Sequence, residues 1–232
     1  ELEIKNIFDV ATKTEITEQK EEIIIPFPFE PKPEKSGKII SQEEIKDLQL
    51  KRILFDNNIV LNFKKTEFKK NEINFNINFG DGMLSLPKGK ESMSHLANIA
   101  ITDGGLTKLS KTQLLKSLTG KNVSTQFSID SNNFSIQATT TPEDFELNLQ
   151  LCRAILLYPG FREEAIVSIK KNIDQRYNYI NSEIVAYFRN ALTIKMTNNN
   201  PSLSLLDRKL LESITLSDLK DWLTTQFKKC PI

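Results

Sequence analysis

The chain has 232 residues, enough for one large domain or for one domain with a long arm. Hydrophobic residues make up 39% and charged residues 26%, the balance of a globular chain that can bury a sizeable core. With 31 basic and 30 acidic residues the net charge is +1, which gives no electrostatic case for nucleic acid or an anionic membrane. No apolar run approaches the ~18 residues a membrane span needs. The two cysteines, Cys152 and Cys230, are too few for a disulfide framework and form no C-x-x-C pair. Cys152 falls on an apolar helical stripe, where a buried free thiol is expected. The chain opens Glu-Leu-Glu-Ile without a Met or a signal peptide, so it reads as a piece of a longer polypeptide with any targeting signal upstream.

Residues 1–46 read as an N-terminal arm or interdomain linker. Glu1–Glu22 is charge-rich with weak periodicity, and Ile23–Ile25 could pair as a short strand. Pro26, Pro28, Pro31 and Pro33 then impose an extended path, because proline fixes φ and removes a donor. Phe27 and Phe29 are large apolar groups with no local partners, so the arm is expected to lie along a neighbouring domain. The remainder, 47–232, reads as one α+β domain. Gln49–Phe55 and Ile59–Phe63 flank Asp56-Asn57-Asn58 as a hairpin. Ile73–Phe79 alternates without a break, with Ile73, Phe75, Ile77 and Phe79 on a buried face and asparagines on a polar one.

Lys90–Asp103 has helical spacing, with Met93, Leu96, Ala97, Ala100 and Ile101 inward and Gly104-Gly105 as the stop. Ser110-Lys111-Thr112-Gln113 is a capping box opening a short helix with Leu114, Leu115 and Leu118 inward, closed by Gly120. Val123–Ile129 and Phe134–Thr139 form a second hairpin. Thr141-Pro142-Glu143-Asp144 opens a helix as N-cap, N1 proline and early acids, with Phe145, Leu149, Cys152, Ile155 and Leu156 inward. Pro159-Gly160 breaks it. A long helical region runs from Arg162 to Thr197, interrupted near Asn181-Ser182, and Asn198–Pro201 is a loop. Thr215 caps a last helix bearing Leu219, Trp222, Leu223 and Phe227. This order predicts a mostly antiparallel sheet covered on one face by helices.

The single histidine, His95, limits the chemistry. A zinc protease needs two imidazoles one helical turn apart and a carboxylate. A Ser/His/Asp or Cys/His system would also have to use His95. No phosphate or dinucleotide loop is present. The simpler reading of His95 is a polar residue on an amphipathic helix. Glu163-Glu164 fits a helix start favoured by the dipole. Lys170-Lys171 and Lys228-Lys229 read as solvated faces, and Tyr177, Tyr179 and Tyr187 read as packing residues.

Several ordered stretches nevertheless form a pattern. They are Leu54–Leu61, Lys65–Ile73, Lys108–Gly120, Lys121–Ser124, Thr140–Leu147 and Tyr158–Ala165. Together they resemble a later, non-catalytic domain of a long bacterial zinc metallopeptidase of the insulinase/pitrilysin type, over residues 36–228. In Leu54–Leu61, Asn58 stands where that family's hairpin usually has Gly. The resemblance implies the LuxS/MPP-like α+β fold. The family builds long chains from four such domains in two bowl-shaped halves around a chamber, and the first domain carries the motif H-x-x-E-H.

Carried over, that motif falls on His95-Leu96-Ala97-Asn98-Ile99. Asn98 then replaces the general-base Glu and Ile99 replaces the second ligand His. The third ligand, a Glu on a later helix, falls at Arg176 when counted through the Pro159–Phe161 turn. The resemblance therefore implies no catalytic residue, no cofactor and no metal in this domain, with zinc held by an upstream catalytic domain of the parent. It also implies that a final strand lies beyond the last helix.

The expected role is a scaffold in the substrate chamber of a zinc metalloendopeptidase that degrades peptides. Partners would be neighbouring domains of the same chain and peptide or unfolded protein, with no nucleic acid and no membrane span. The long bacterial relatives suggest a periplasmic or envelope location. The rival reading is a non-enzymatic interaction subunit of the same fold, and an H-x-x-E-H sequence upstream in the parent would exclude it. An independent enzyme built on His95 is the weakest reading, because no acid or nucleophile is fixed nearby by spacing.

Overall fold

The computed structural model describes Lys5, Ile7, Phe8, Thr12, residues 25–29, Pro33, 36–205 and 208–230. The strand expected at Ile23–Ile25 lies mostly outside these residues, and Ile25 itself is not in a strand. Two three-stranded antiparallel sheets are present. The first has the order β1-β2-β3, from Ile39–Ile45, Leu50–Phe55 and Val60–Phe63. The second has the order β4-β6-β5, from Ile73–Phe79, Phe134–Thr140 and Val123–Ile129. The helices are α1 (Ala97–Gly104), α2 (Lys111–Ser117), α3 (Phe145–Leu157), α4 (Glu164–Ser182), α5 (Ile184–Met196), α6 (Arg208–Glu212) and α7 (Leu216–Phe227). This is the α+β class expected from the element order, with the strands split between two sheets.

Strand β1 is an addition to the sequence reading, which placed those residues in the arm. Its composition, Ile-Ile-Ser-Gln-Glu-Glu-Ile, shows no clean alternation. Pairing with β2, from Ile39 opposite Phe55 to Ile45 opposite Leu50, makes it a strand. The β2–β3 turn has Asn58 at φ 65°. Asparagine tolerates this left-handed region better than other non-glycine residues, so it can stand where the family pattern has Gly.

The core forms where the inner face of β4-β6-β5 meets helices α1, α3, α4 and α7. Phe134 lies at its centre, fully buried. It stacks on Phe79 and Phe127 at centroid distances of 5.6 and 6.1 Å, and packs against Trp222 at 5.7 Å. Such aromatic contacts add roughly 0.5–1.5 kcal/mol each beyond area burial. Trp222 Nε1 donates to Ser85 Oγ at 3.0 Å, which satisfies the indole inside the core.

The capping box at Ser110 holds, and the Thr215 cap is also a reciprocal box. Ser110 and Gln113 exchange side-chain and backbone bonds at 3.2 and 2.9 Å. Thr215 and Asp218 do the same at 3.1 and 3.0 Å. Thr141 is not an N-cap. The turn 142–144 leads into α3 at Phe145, and the Asp144 carboxylate instead accepts from the Asn122 backbone at 2.7 Å and pairs with Lys121 at 3.6 Å. A helix-start acid thus fastens the β5 entry to α3.

Leu115 and Leu149 point outward at 62% and 39% exposure, because neither faces a neighbouring element. The long helical region breaks at Glu183, one residue past the expected place. The helix stops Gly104-Gly105 and Pro159-Gly160 also meet each other. Gly160 donates to the Gly105 carbonyl at 2.8 Å, and a Cβ at Gly160 would sit 2.2 Å from the Gly104 oxygen.

Phe27 and Phe29 correct the reading of the arm. They dock on this chain's own second apolar cluster, with Leu106, Leu109, Leu151 and Ala154. Phe29 meets Tyr158 edge-on at 6.1 Å, and Lys108 Nζ lies 5.0 Å from the Phe29 ring centroid. The groups lacked partners only in sequence; the fold brings Tyr158 and Lys108 to them.

Candidate functional site

The four positions matched to the motif in sequence come from a 3-10 turn and two helices, α1 and α4, that pack on each other. His95 ends a 3-10 turn, Glu91–His95, and Asn98 and Ile99 lie in the first turn of α1. Residues 95–99 thus straddle a 3-10 to α junction, where the sequence analysis expected one continuous helix from Lys90 to Asp103. Helix α4 packs along α1 and brings Arg176 close enough for its charge to act on His95.

His95 Nε2 lies 3.0 Å from the Pro201 carbonyl oxygen. A carbonyl can only accept, so Nε2 carries the hydrogen and donates. The backbone of Ser204 also bears on the ring. Burial lowers the His95 pKa below its ordinary value, the Pro201 bond opposes this, and the Arg176 charge adds to the lowering. The ring is therefore neutral at pH 7.

The segment over His95 was read from sequence only as a loop. Asn200 Oδ1 accepts from the Ser202 backbone at 3.0 Å and from its hydroxyl at 2.8 Å, and Ser94 Oγ donates to the Ser202 carbonyl at 3.1 Å. Asn190 of α5 is bonded in both directions to the Leu205 backbone, at 3.2 and 3.4 Å. An Asn-rich stretch that looks featureless in sequence is therefore a tied cap on the histidine.

This donor set does not fit zinc. With Nε2 bound to Pro201, His95 could offer at most one lone pair, at Nδ1, and Ile99 has none. Asn98 Oδ1 already accepts from Thr102 Oγ1 at 3.1 Å and has no useful basicity. Arg176 would repel a dication. Among the described residues no group of three or more His, Cys, Asp or Glu side chains is placed to hold a metal.

The other candidates sort as follows. Glu163 and Glu164 stand exposed at the start of α4, and Lys170, Lys171, Lys228 and Lys229 are exposed. Tyr177 packs against the main core, but Tyr179 and Tyr187 point outward at 60% and 64% exposure, against the packing expected of them. Cys152 is buried and free, and burial pushes its thiol up to about 12. A largely apolar groove of about 450 Å³ lies between α4 and α6, with Ile169, Ile173 and Leu211 on its floor and Arg208, Asp174 and Glu212 at its rim. The rim residues are ion-paired with one another.

A further surface was missed by the sequence reading. The outer face of β4-β6-β5 is a layer of amides and hydroxyls, with a carboxylate at each end: Glu72 accepts from Asn74 Nδ2 at 3.0 Å and Asp130 from Ser135 Oγ at 3.3 Å. Register places Asn74, Thr139 and Ser124 in one row, Asn76, Gln137 and Gln126 in the next, and Asn78, Ser135 and Ser128 in the third. All except the two serines of the third row are exposed. Neighbours bond across it: Thr139 Oγ1 to Asn74 Oδ1 at 2.7 Å, Asn133 Nδ2 to Asn78 Oδ1 at 2.9 Å, and Ser128 with Ser135 at 2.8 Å. The alternation of Ile73–Phe79 signalled a polar side to one strand, and only the pairing register joins three such sides into one face.

No family model and no curated protein sequence matches this chain. Solved structures do match. The periplasmic protease PqqL from Escherichia coli superposes with TM-score 0.71 at 16% identity, over 97% of this chain and 24% of that one. The ferredoxin protease FusC, solved as a mutant in complex with Arabidopsis ferredoxin, superposes with TM-score 0.67 at 15% identity, over 97% of this chain and 25% of that one. A peptidase M16 inactive domain from Pseudomonas fluorescens superposes with TM-score 0.61 at 15% identity, over 75% of this chain and 42% of that one. The fold is thus that of M16-type peptidase domains, an inactive one included. The chain spans about a quarter of the length of the PqqL and FusC chains it matches. No described helix is long and apolar enough to cross a membrane.

Proposed function

We propose that this domain is a non-catalytic wall of the substrate chamber in a zinc metalloendopeptidase that degrades peptides. The amide- and hydroxyl-lined face of β4-β6-β5 carries the reading. Amides and hydroxyls can exchange hydrogen bonds with any peptide backbone. The three rows themselves carry no charge and no apolar patch to hold product, the Glu72 and Asp130 carboxylates lying only at the ends, so contact would be weak and general. Fold likeness to PqqL, FusC and the inactive M16 domain supports the assignment. The residues at 95, 98, 99 and 176 support a degenerate motif, so zinc and hydrolysis would belong to an upstream catalytic domain. Closure of the chamber would admit unfolded peptides and exclude folded proteins. The periplasmic location of PqqL favours the periplasm or envelope.

The test is a titration with short unstructured peptides of opposite net charge, read by the side-chain amide resonances of Asn74, Asn76, Gln126 and Gln137. The reading expects millimolar shifts at these amides for both peptides. With Gln126→Glu/Gln137→Glu it expects a preference for the cationic peptide. No shift on this face with either peptide overturns it.

A further inference from the structure

We infer that Gln126 and Gln137, opposite each other in the middle row of the β4-β6-β5 face, hold an extended peptide by the N–H and C=O groups of its main chain. The inference rests on the chamber reading and names the residues, and the part of the substrate, that meet there. Neighbours along each strand fix where the two side chains stand. Phe127 beside Gln126, and Ile136 and Ala138 on either side of Gln137, are buried in the core. Successive residues of a strand point to opposite faces, so both glutamines are exposed on the outer one.

The hydrogen bonds of the three rows single out this pair. In the first row Asn74 is engaged at both ends: its Nδ2 donates to Glu72 and its Oδ1 accepts from Thr139 Oγ1. In the third row Ser128 and Ser135 bond to each other, and Asn78 Oδ1 accepts from both Asn133 and Asn76. Among the described residues no hydrogen bond within the fold engages the side-chain amide of Gln126 or Gln137. Each therefore presents a complete primary amide, a carbonyl acceptor and two N–H donors, to whatever lies on the face.

An extended peptide matches the pair. The N–H and C=O of one extended residue point to the same side, which is how antiparallel strands exchange two bonds between one pair of residues. A primary amide offers the complementary acceptor and donor. Residues facing one side recur every second position, about 6.8 Å apart. The two glutamines rise from strands about 4.8 Å apart, and the torsions of their side chains spread the amides over the remaining ~2 Å. The peptide thus lies across the strands, with alternate residues on Gln137 and Gln126. A folded substrate has its main-chain groups already paired, so the two amides favour extended chain.

The experiment titrates the chain with an unstructured Ser/Ala peptide, blocked at both ends so that it carries no charge, and with the same peptide N-methylated at every residue. Side-chain amide resonances report binding. The unmethylated peptide should move Gln126 and Gln137 further than Asn74, and methylation, which removes every main-chain donor, should weaken binding at least about fivefold. Gln126→Met/Gln137→Met keeps side-chain length and should weaken the unmethylated peptide by a similar factor, read at Asn76 in the same row; Ser124→Ala should leave it unchanged. Should the double variant misfold, the two peptides on the unaltered chain decide alone. Equal binding of both peptides, or shifts at Asn74 as large as at the glutamines, overturns the inference and leaves the chamber reading standing, because the face is still occupied. No shift on the face with either peptide overturns the chamber reading itself and this inference with it.

Discussion

The His95 ring donates to the Pro201 carbonyl at 3.0 Å, joining residues 106 positions apart and closing the end of α1 under an ordered loop. This bond occupies Nε2, and burial together with Arg176 keeps the ring neutral.

Stability should therefore fall as pH drops below 6.5. The folded pKa lies below the ordinary value, so the unfolded chain binds the proton more readily. The contribution is complete above the unfolded pKa and is lost as pH falls from there toward the folded one. With one histidine in the chain, urea midpoints at pH 7.5 and 5 isolate the effect. In His95→Gln the difference between the two midpoints should shrink, and an unchanged difference would place the effect elsewhere.

The second pH window lies lower. Hydrogen bonds from the Thr215 backbone, and then from Lys90, depress the Asp218 carboxyl to about 2. Its contribution is present above the unfolded carboxylate value and is lost as pH falls through about 2. Thr215→Ala removes the reciprocal cap of α7 and should cost about 1 kcal/mol, measured by chemical denaturation at pH 7. Helix α7 holds Trp222 and Phe227 in the core, so the loss should appear in global unfolding.

Phe134→Ala should cost about 3–5 kcal/mol, because the ring contacts Phe79, Phe127, Trp222 and Phe227 and leaves a cavity at their centre. Gly160→Ala should cost about 1–3 kcal/mol, since the new methyl meets backbone oxygen that cannot swing aside. Thermal unfolding of both variants checks the order.

Zinc content after removal of loosely bound metal should be near zero per chain. The variant Asn98→Glu/Ile99→His/Arg176→Glu should raise it if the four positions correspond to the family's site. About one zinc in the unaltered chain would mean that His95 recruits ligands outside the matched motif.

The sequence by itself determined most of the element types, though not strand β1 or the 3-10 turn at Glu91–His95, together with the caps at Ser110 and Thr215, the turn at Asn58 and the single histidine. These depend on neighbours within a few residues or on composition. It also carried enough ordered pattern to identify the fold class. The tertiary structure alone decided where Phe27 and Phe29 dock, what covers His95, and that three polar strand sides form one face. Those outcomes depend on strand register and on contacts such as Phe29 with Tyr158 and His95 with Pro201, between residues far apart along the chain. Local periodicity tells which side of an element is apolar, but the partner that side meets is fixed only when the elements pack.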